Sequence, residues 1–164
     1  MKLFFYTFLF SILGYCYPIS DVDLEISEKS SYSIGYSEEH EQPLWCFYKL
    51  TSNQLSTVCR FKRSNDFRQD TNITTLSASP LDYLRSGYDK GHLCPAQDRS
   101  YSKESMSETF LMSNMSPQDP SFNRGIWKKL EEYTRNYAIR NGEIFVLCGP
   151  IIFNKHLTLT NNVS

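Results

Sequence analysis

Ser86-Gly87-Tyr88-Asp89-Lys90-Gly91-His92-Leu93 is a charged segment, bracketed by glycines, that presents one histidine in a marked local context. A match this short recurs by chance and carries little weight alone. It gains weight from two blocks downstream: Leu111-Met112-Ser113-Asn114-Met115-Ser116-Pro117-Gln118, and Phe122-Asn123-Arg124-Gly125-Ile126-Trp127-Lys128-Lys129-Leu130-Glu131. The second block opens the clearest helix in the chain, Phe122 to Arg140, stopped by Asn141-Gly142. Ile126, Leu130, Tyr133 and Tyr137 recur at helical spacing and predict a packing face. Asn123, Trp127, Glu131 and Arg135 lie four residues apart, drifting only about 40° per step, and predict a second row facing a site. The plainer reading of Glu131 and Arg135 is an i,i+4 surface pair.

Working outward, 164 residues with 40% hydrophobic content suffice for one packed domain. A net charge of −1, from 17 basic and 18 acidic residues, excludes a broad basic face as the means of binding a polyanion, so any phosphate recognition must be local. Lys2, the apolar run Leu3 to Leu13, and small residues at Gly14 and Cys16 predict a signal peptide over residues 1–16 and a secreted chain. The run is short for a membrane span, so no stable membrane association is expected after cleavage. Residues 17–42 read as a polar, irregular arm whose short apolar pieces can still pair on a sheet edge, and residues 43–164 as the compact domain.

Beyond the leader four cysteines remain, Cys46, Cys59, Cys94 and Cys148, an even count that suits an oxidising compartment. Leu44 to Leu50 and Ser56 to Phe61 read as strands around polar Thr51-Ser52-Asn53-Gln54. A hairpin there favours the pairs Cys46–Cys59 and Cys94–Cys148, with a zinc site or buried thiols as alternatives. Glu143 to Cys148 reads as a buried strand. Arg60, Lys62, Arg63 and Arg68 precede Asp70 in a polar stretch and form either a phosphate grip or a solvated loop.

The chemistry follows from residue type. Imidazole, with an ordinary pKa near 6.5, is substantially neutral at physiological pH and suits His92 to a general base. Asn123 offers either a helix cap or a neutral amide oxygen for a hard cation such as magnesium. Asn114 and Gln118 flank a proline turn and either order a site or serve the turn itself.

These three blocks, in this order, resemble the DNA/RNA non-specific endonucleases, over about Pro43 to Ile152. The resemblance implies an α+β, ββα-metal nuclease fold with a central, mostly antiparallel sheet and a metal-site helix. It implies magnesium, with manganese as an alternative, and DNA and RNA held through their phosphate backbones. It further implies His92 as base, Asn123 as the single protein ligand of the hydrated ion, Asn114 in support, and Glu131 on metal-bound water. Arg135 and Lys90 would bind substrate, Arg63 would stabilise developing charge, and Asp89 would orient the motif backbone or the base. Lys90 stands where the family usually has arginine, which loses the planar two-pronged contact. Family domains continue beyond Gly149-Pro150, so the resemblance also implies a domain lacking its C-terminal part. The rival reading is then a secreted nucleic-acid-binding protein without turnover. Asn72, Asn114 and Asn162 each begin an Asn-x-Ser/Thr sequon.

Overall fold

The computed structural model describes residues 23–152. The leader, His156 and the Asn162 sequon lie outside them. Six strands and several helices follow in the order β1 (Glu25–Glu28), β2 (Ser33–Ser37), β3 (Gln42–Thr51), α1 (Ser52–Ser56), β4 (Asp89–His92), α2 (Lys103–Glu108), β5 (Met115–Gln118), α3 (Pro120–Phe122), a π-helical turn (Asn123–Trp127), α4 (Lys128–Asn141) and β6 (Glu143–Cys148). The expected α+β class holds. β1-β2-β3-β6 form an antiparallel sheet, and β4 and β5 a second antiparallel pair.

The polar stretch before Pro43 is not an irregular arm. Its alternation places Tyr32, Ile34 and Tyr36 at 3% exposure or less in the core, packed with Cys46, Tyr48, Leu50, Ala138 and Ile144. Serines and glutamates between these aromatics dilute the hydrophobic signal without disturbing the two-residue period that buries one face. A buried ion pair, Lys29 to Asp70 at 2.6 Å, with Ser113 donating to the same carboxylate at 2.5 Å, ties the β1–β2 turn to the loops below the sheet.

The hairpin expected around Thr51 to Gln54 is absent. Thr51 Oγ1 accepts from the Gln54 backbone while Gln54 Oε1 accepts from the Thr51 backbone, a reciprocal cap that starts α1 rather than a turn. The neighbour of β3 is therefore β6, with Cys46 opposite Cys148. Cys94 joins that pair in the core, whereas Cys59 is exposed on the surface, and all four cysteines are free thiols. The favoured pairing of Cys46 with Cys59 fails because the intervening helix sends the chain away from the sheet.

The long helix occupies its expected place, capped by Asp119, whose carboxylate accepts from the Ser121 and Phe122 backbones, with Pro120 at the first position. Gly142 ends it with φ +92°, a conformation glycine adopts without strain. Its facing matches the expectation only in part: Tyr137 packs against the core and Leu130 is half-buried, but the rest of that row is not. Ile126 and Tyr133 are 62% and 57% exposed, and the buried positions are Thr134, Arg135 and Ala138. An ion pair accounts for the burial of Arg135, which turns inward to Asp98, while Asn123, Trp127 and Glu131 of its row stay half-buried. β6 proves to be a sheet edge, with Ile144 buried and Leu147 49% exposed. Among the described residues no helix is long and apolar enough to cross a membrane.

Candidate active site

β4, β5 and the long helix form one ββα unit, and the candidate residues collect on it. His92 closes β4 opposite Met115. Its ring is 7% exposed and sits edge-on against Phe67 and Phe110, with centroids 5.8 and 4.9 Å away. Trp127 donates its indole N–H to the His92 carbonyl at 3.1 Å, which fastens the helix to the strand. Burial first, and then the Arg63 guanidinium, hold the imidazole down at about 3, while a hydrogen bond to the Lys90 backbone pulls it upward. His92 Nε2 is buried and has no hydrogen-bond partner. The imidazole is thus neutral with an unpartnered nitrogen, while burial and the Arg63 charge weaken it as a base.

Asn123 opens the π-helical turn. Its amide nitrogen donates to Asp89 Oδ2 at 2.9 Å, which leaves the amide oxygen as the acceptor turned to other use. Asp89 is itself gripped by Arg124 through two bonds, 2.8 Å from Nε and 2.6 Å from NH2, and this contact holds its carboxyl below the usual range. Asp89 therefore orients Asn123 rather than the base. Arg124 was not legible as a site residue, because its partner is 35 positions away. The π turn has a structural use too. A turn wider than α over Asn123–Trp127 changes the phase of these two residues relative to Glu131 and Arg135 in α4.

Glu131 lies 3.9 Å from Arg135, which bonds Asp98 at 2.8 Å in the core. Burial foremost, and the Asp98 carboxylate next, push Glu131 up to about 7 despite the nearby Arg135 and Arg63. A carboxyl poised there exchanges protons near neutrality. Asp98 and Arg99, both fully buried, were not found from the sequence. Arg99 lies over the Tyr48 ring at 4.8 Å and donates to the Lys49 carbonyl at 3.1 Å.

Other candidates resolve differently. Asn114 is fully buried and saturated: Oδ1 accepts from the Cys94 backbone, and Nδ2 donates to the Cys94 and Thr109 carbonyls, at 2.9 to 3.0 Å. It clamps the chain after His92, and its burial closes the sequon to a glycan. Gln118 lies across Gly91 so closely that any Cβ there would stand 2.2 Å from its side chain, which would have to shift. Lys90 rests its ammonium 5.0 Å from the centre of the Phe67 ring. In the basic stretch, Arg60 bonds the Leu55 and Gln97 carbonyls, and Arg68 bonds Asp66 and the Ser107 carbonyl. Arg63 instead reaches the site, its guanidinium 4.7 Å from the centre of the Phe110 ring.

No group of three or more His, Cys, Asp or Glu among the described residues could enclose a metal, which disfavours zinc. A single oriented amide oxygen instead fits a hydrated, octahedral ion that takes most of its ligands from water and phosphate, as magnesium does.

Comparison with known proteins identifies the family. The family model described as DNA/RNA non-specific endonuclease matches residues 17–164. A "Nuclease" of Syncephalastrum racemosum is 37% identical over 85% of the chain and 43% of its own length. The mitochondrial "Endonuclease G" of Homo sapiens is 31% identical over 77% of the chain and 43% of its own length. A crystal structure of an EndoG/EndoGI complex superposes with a TM-score of 0.71 at 34% identity, covering 76% of the chain and 52% of that protein. The shared architecture is the ββα-metal nuclease fold, and the chain spans about half the length of these relatives or less.

Proposed function

Because the chain belongs to the DNA/RNA non-specific endonuclease family, we propose that it is a secreted, magnesium-dependent endonuclease that hydrolyses phosphodiester bonds in DNA and RNA with His92 as general base. The observation that carries this reading is the open, buried Nε2 of His92 in the same ββα unit as an Asn123 amide oriented by Asp89. His92 Nε2 takes the proton of the attacking water, since burial keeps it neutral across the physiological range. Asn123 Oδ1 would hold the metal ion, which supplies Lewis-acid stabilisation of charge on the phosphate and the leaving oxygen. Glu131, two steps along the same helix row from Asn123, orients water, and its elevated pKa lets it share a proton there. Arg63 and Arg135 offer positive charge to the phosphate, Arg63 from the solvent side and Arg135 from its anchor on Asp98. Secretion is supported by the leader-like residues 1–16.

The test is cleavage of plasmid DNA and of RNA by the purified chain, in magnesium or EDTA, beside His92→Ala. Loss of both substrates only with magnesium and only with His92 is expected. Nucleic-acid binding without turnover by a folded chain would overturn the enzymatic reading in favour of a binding protein.

A further inference from the structure

A cleft of about 340 Å³ opens beside Arg63, walled by Arg60 and Phe61, floored by Ala96 and Met106 and rimmed by Gln97. Its position is set by a shared aromatic. Arg63 lies against Phe110 at 4.7 Å, and Phe110 meets the His92 ring at 4.9 Å, so the cleft begins one ring's breadth from the proposed base.

Phe61 is not a core residue of the described chain. It belongs to none of the hydrophobic clusters, stands 44% exposed in a polar stretch without helix or strand, and is held by its backbone N–H on the Ser100 carbonyl at 2.7 Å. Arg60 is equally fixed, with Nε on Ser100 Oγ at 2.8 Å and NH1 on the Leu55 carbonyl at 3.0 Å. Its edge donors are engaged, so what it offers a ligand is the flat face of the guanidinium. The cleft thus presents a planar aromatic and a planar cation, an apolar floor, a side-chain amide at the rim and no carboxylate. That set suits a flat, polarisable heterocycle attached to an anion.

We propose that this cleft is a nucleobase subsite, in which Phe61 stacks an unpaired base of the nucleotide adjoining the scissile phosphate while Arg63 meets the phosphate itself. The inference rests on the nuclease reading above and adds a specificity to it. Every base has a stacking face, so the subsite is tolerant of sequence. A base seated there has left its duplex partner, so the subsite favours single-stranded over double-stranded nucleic acid.

The test uses the full chain carrying His92→Ala, magnesium, and short single-stranded oligonucleotides with 2-aminopurine placed at successive positions. Fluorescence quenching at one position is expected, together with about tenfold weaker binding when Phe61→Ala is added, tenfold corresponding to about 1.4 kcal/mol of the stacking energy. Phe61→Trp restores both the quench and the affinity; Phe61→Leu, which keeps bulk without a π face, does not. An abasic residue at the quenched position weakens the Phe61 chain by a similar factor and adds little to Phe61→Ala. Equal affinity of Phe61→Ala and its parent, or losses from the variant and the abasic residue that multiply, would overturn the subsite. A chain that cuts both nucleic acids yet shows no Phe61-dependent position refutes the subsite alone, whereas one that binds neither refutes the nuclease reading as well.

Discussion

At the scale of single residues, the site depends on second partners. Asp89 fixes the Asn123 amide, so Asp89→Ala should raise the magnesium concentration for half-maximal cleavage by roughly 10- to 100-fold. Arg124→Ala, removing a side chain that is 73% exposed, should move it much less. A magnesium titration of cleavage rate checks both. The two titrating groups pull stability in opposite directions. His92 is held at about 3 against about 6.5 unfolded, so between those values the unfolded chain binds the extra proton and stability falls as pH drops. Glu131 is raised to about 7, so the folded chain holds its proton more tightly, and stability is lost as pH rises through 7. In EDTA, Glu131→Gln should therefore stabilise the fold at pH 8 relative to pH 5, by on the order of 2 kcal/mol, in urea melts. Nuclear magnetic resonance should find the His92 ring still neutral at pH 5.

The long helix shows what element-level reasoning reads and what it misreads. Its extent, its proline start and its glycine stop are local signals and were legible. Its rotation was not, because periodicity identifies two candidate faces and only the partner chooses between them. Asp98 draws Arg135 inward, and Ile126 and Tyr133 turn to solvent. Ile126→Ala and Tyr133→Ala should thus each cost no more than about 0.5 kcal/mol. Ala138→Leu, at a fully buried position that neither expected row contained, should cost about 1–3 kcal/mol through overpacking. The same chemical melts decide. The π turn lay beyond pattern reading altogether, since one extra residue per turn leaves no compositional mark.

Across the whole molecule, the catalytic unit is braced by a sheet that begins before the recognisable motifs. β2 supplies Ile34 and Tyr36 to the core, and Tyr36 donates to Glu41 and accepts from the Ala78 backbone, joining the sheet to the loop that leads to β4. A chain begun at Pro43 should therefore lose near-ultraviolet circular dichroism and cooperative unfolding, even though every motif residue is retained. Persistence of a cooperative transition would show that β1 and β2 are accessory.

The sequence by itself determined the extent and the ends of the long helix and the order of the three motif blocks that carry the family resemblance. These depend on residue type and short spacing, which the linear chain displays. Tertiary structure alone decided that Asp89 serves Asn123, that Asn114 is a clamp, that Cys46 faces Cys148, and which side of the helix is buried. Each of those is a contact between segments 20 or more residues apart. It is settled by which surfaces can be buried together with their polar groups paired, a condition on the assembled fold and not on any stretch of it.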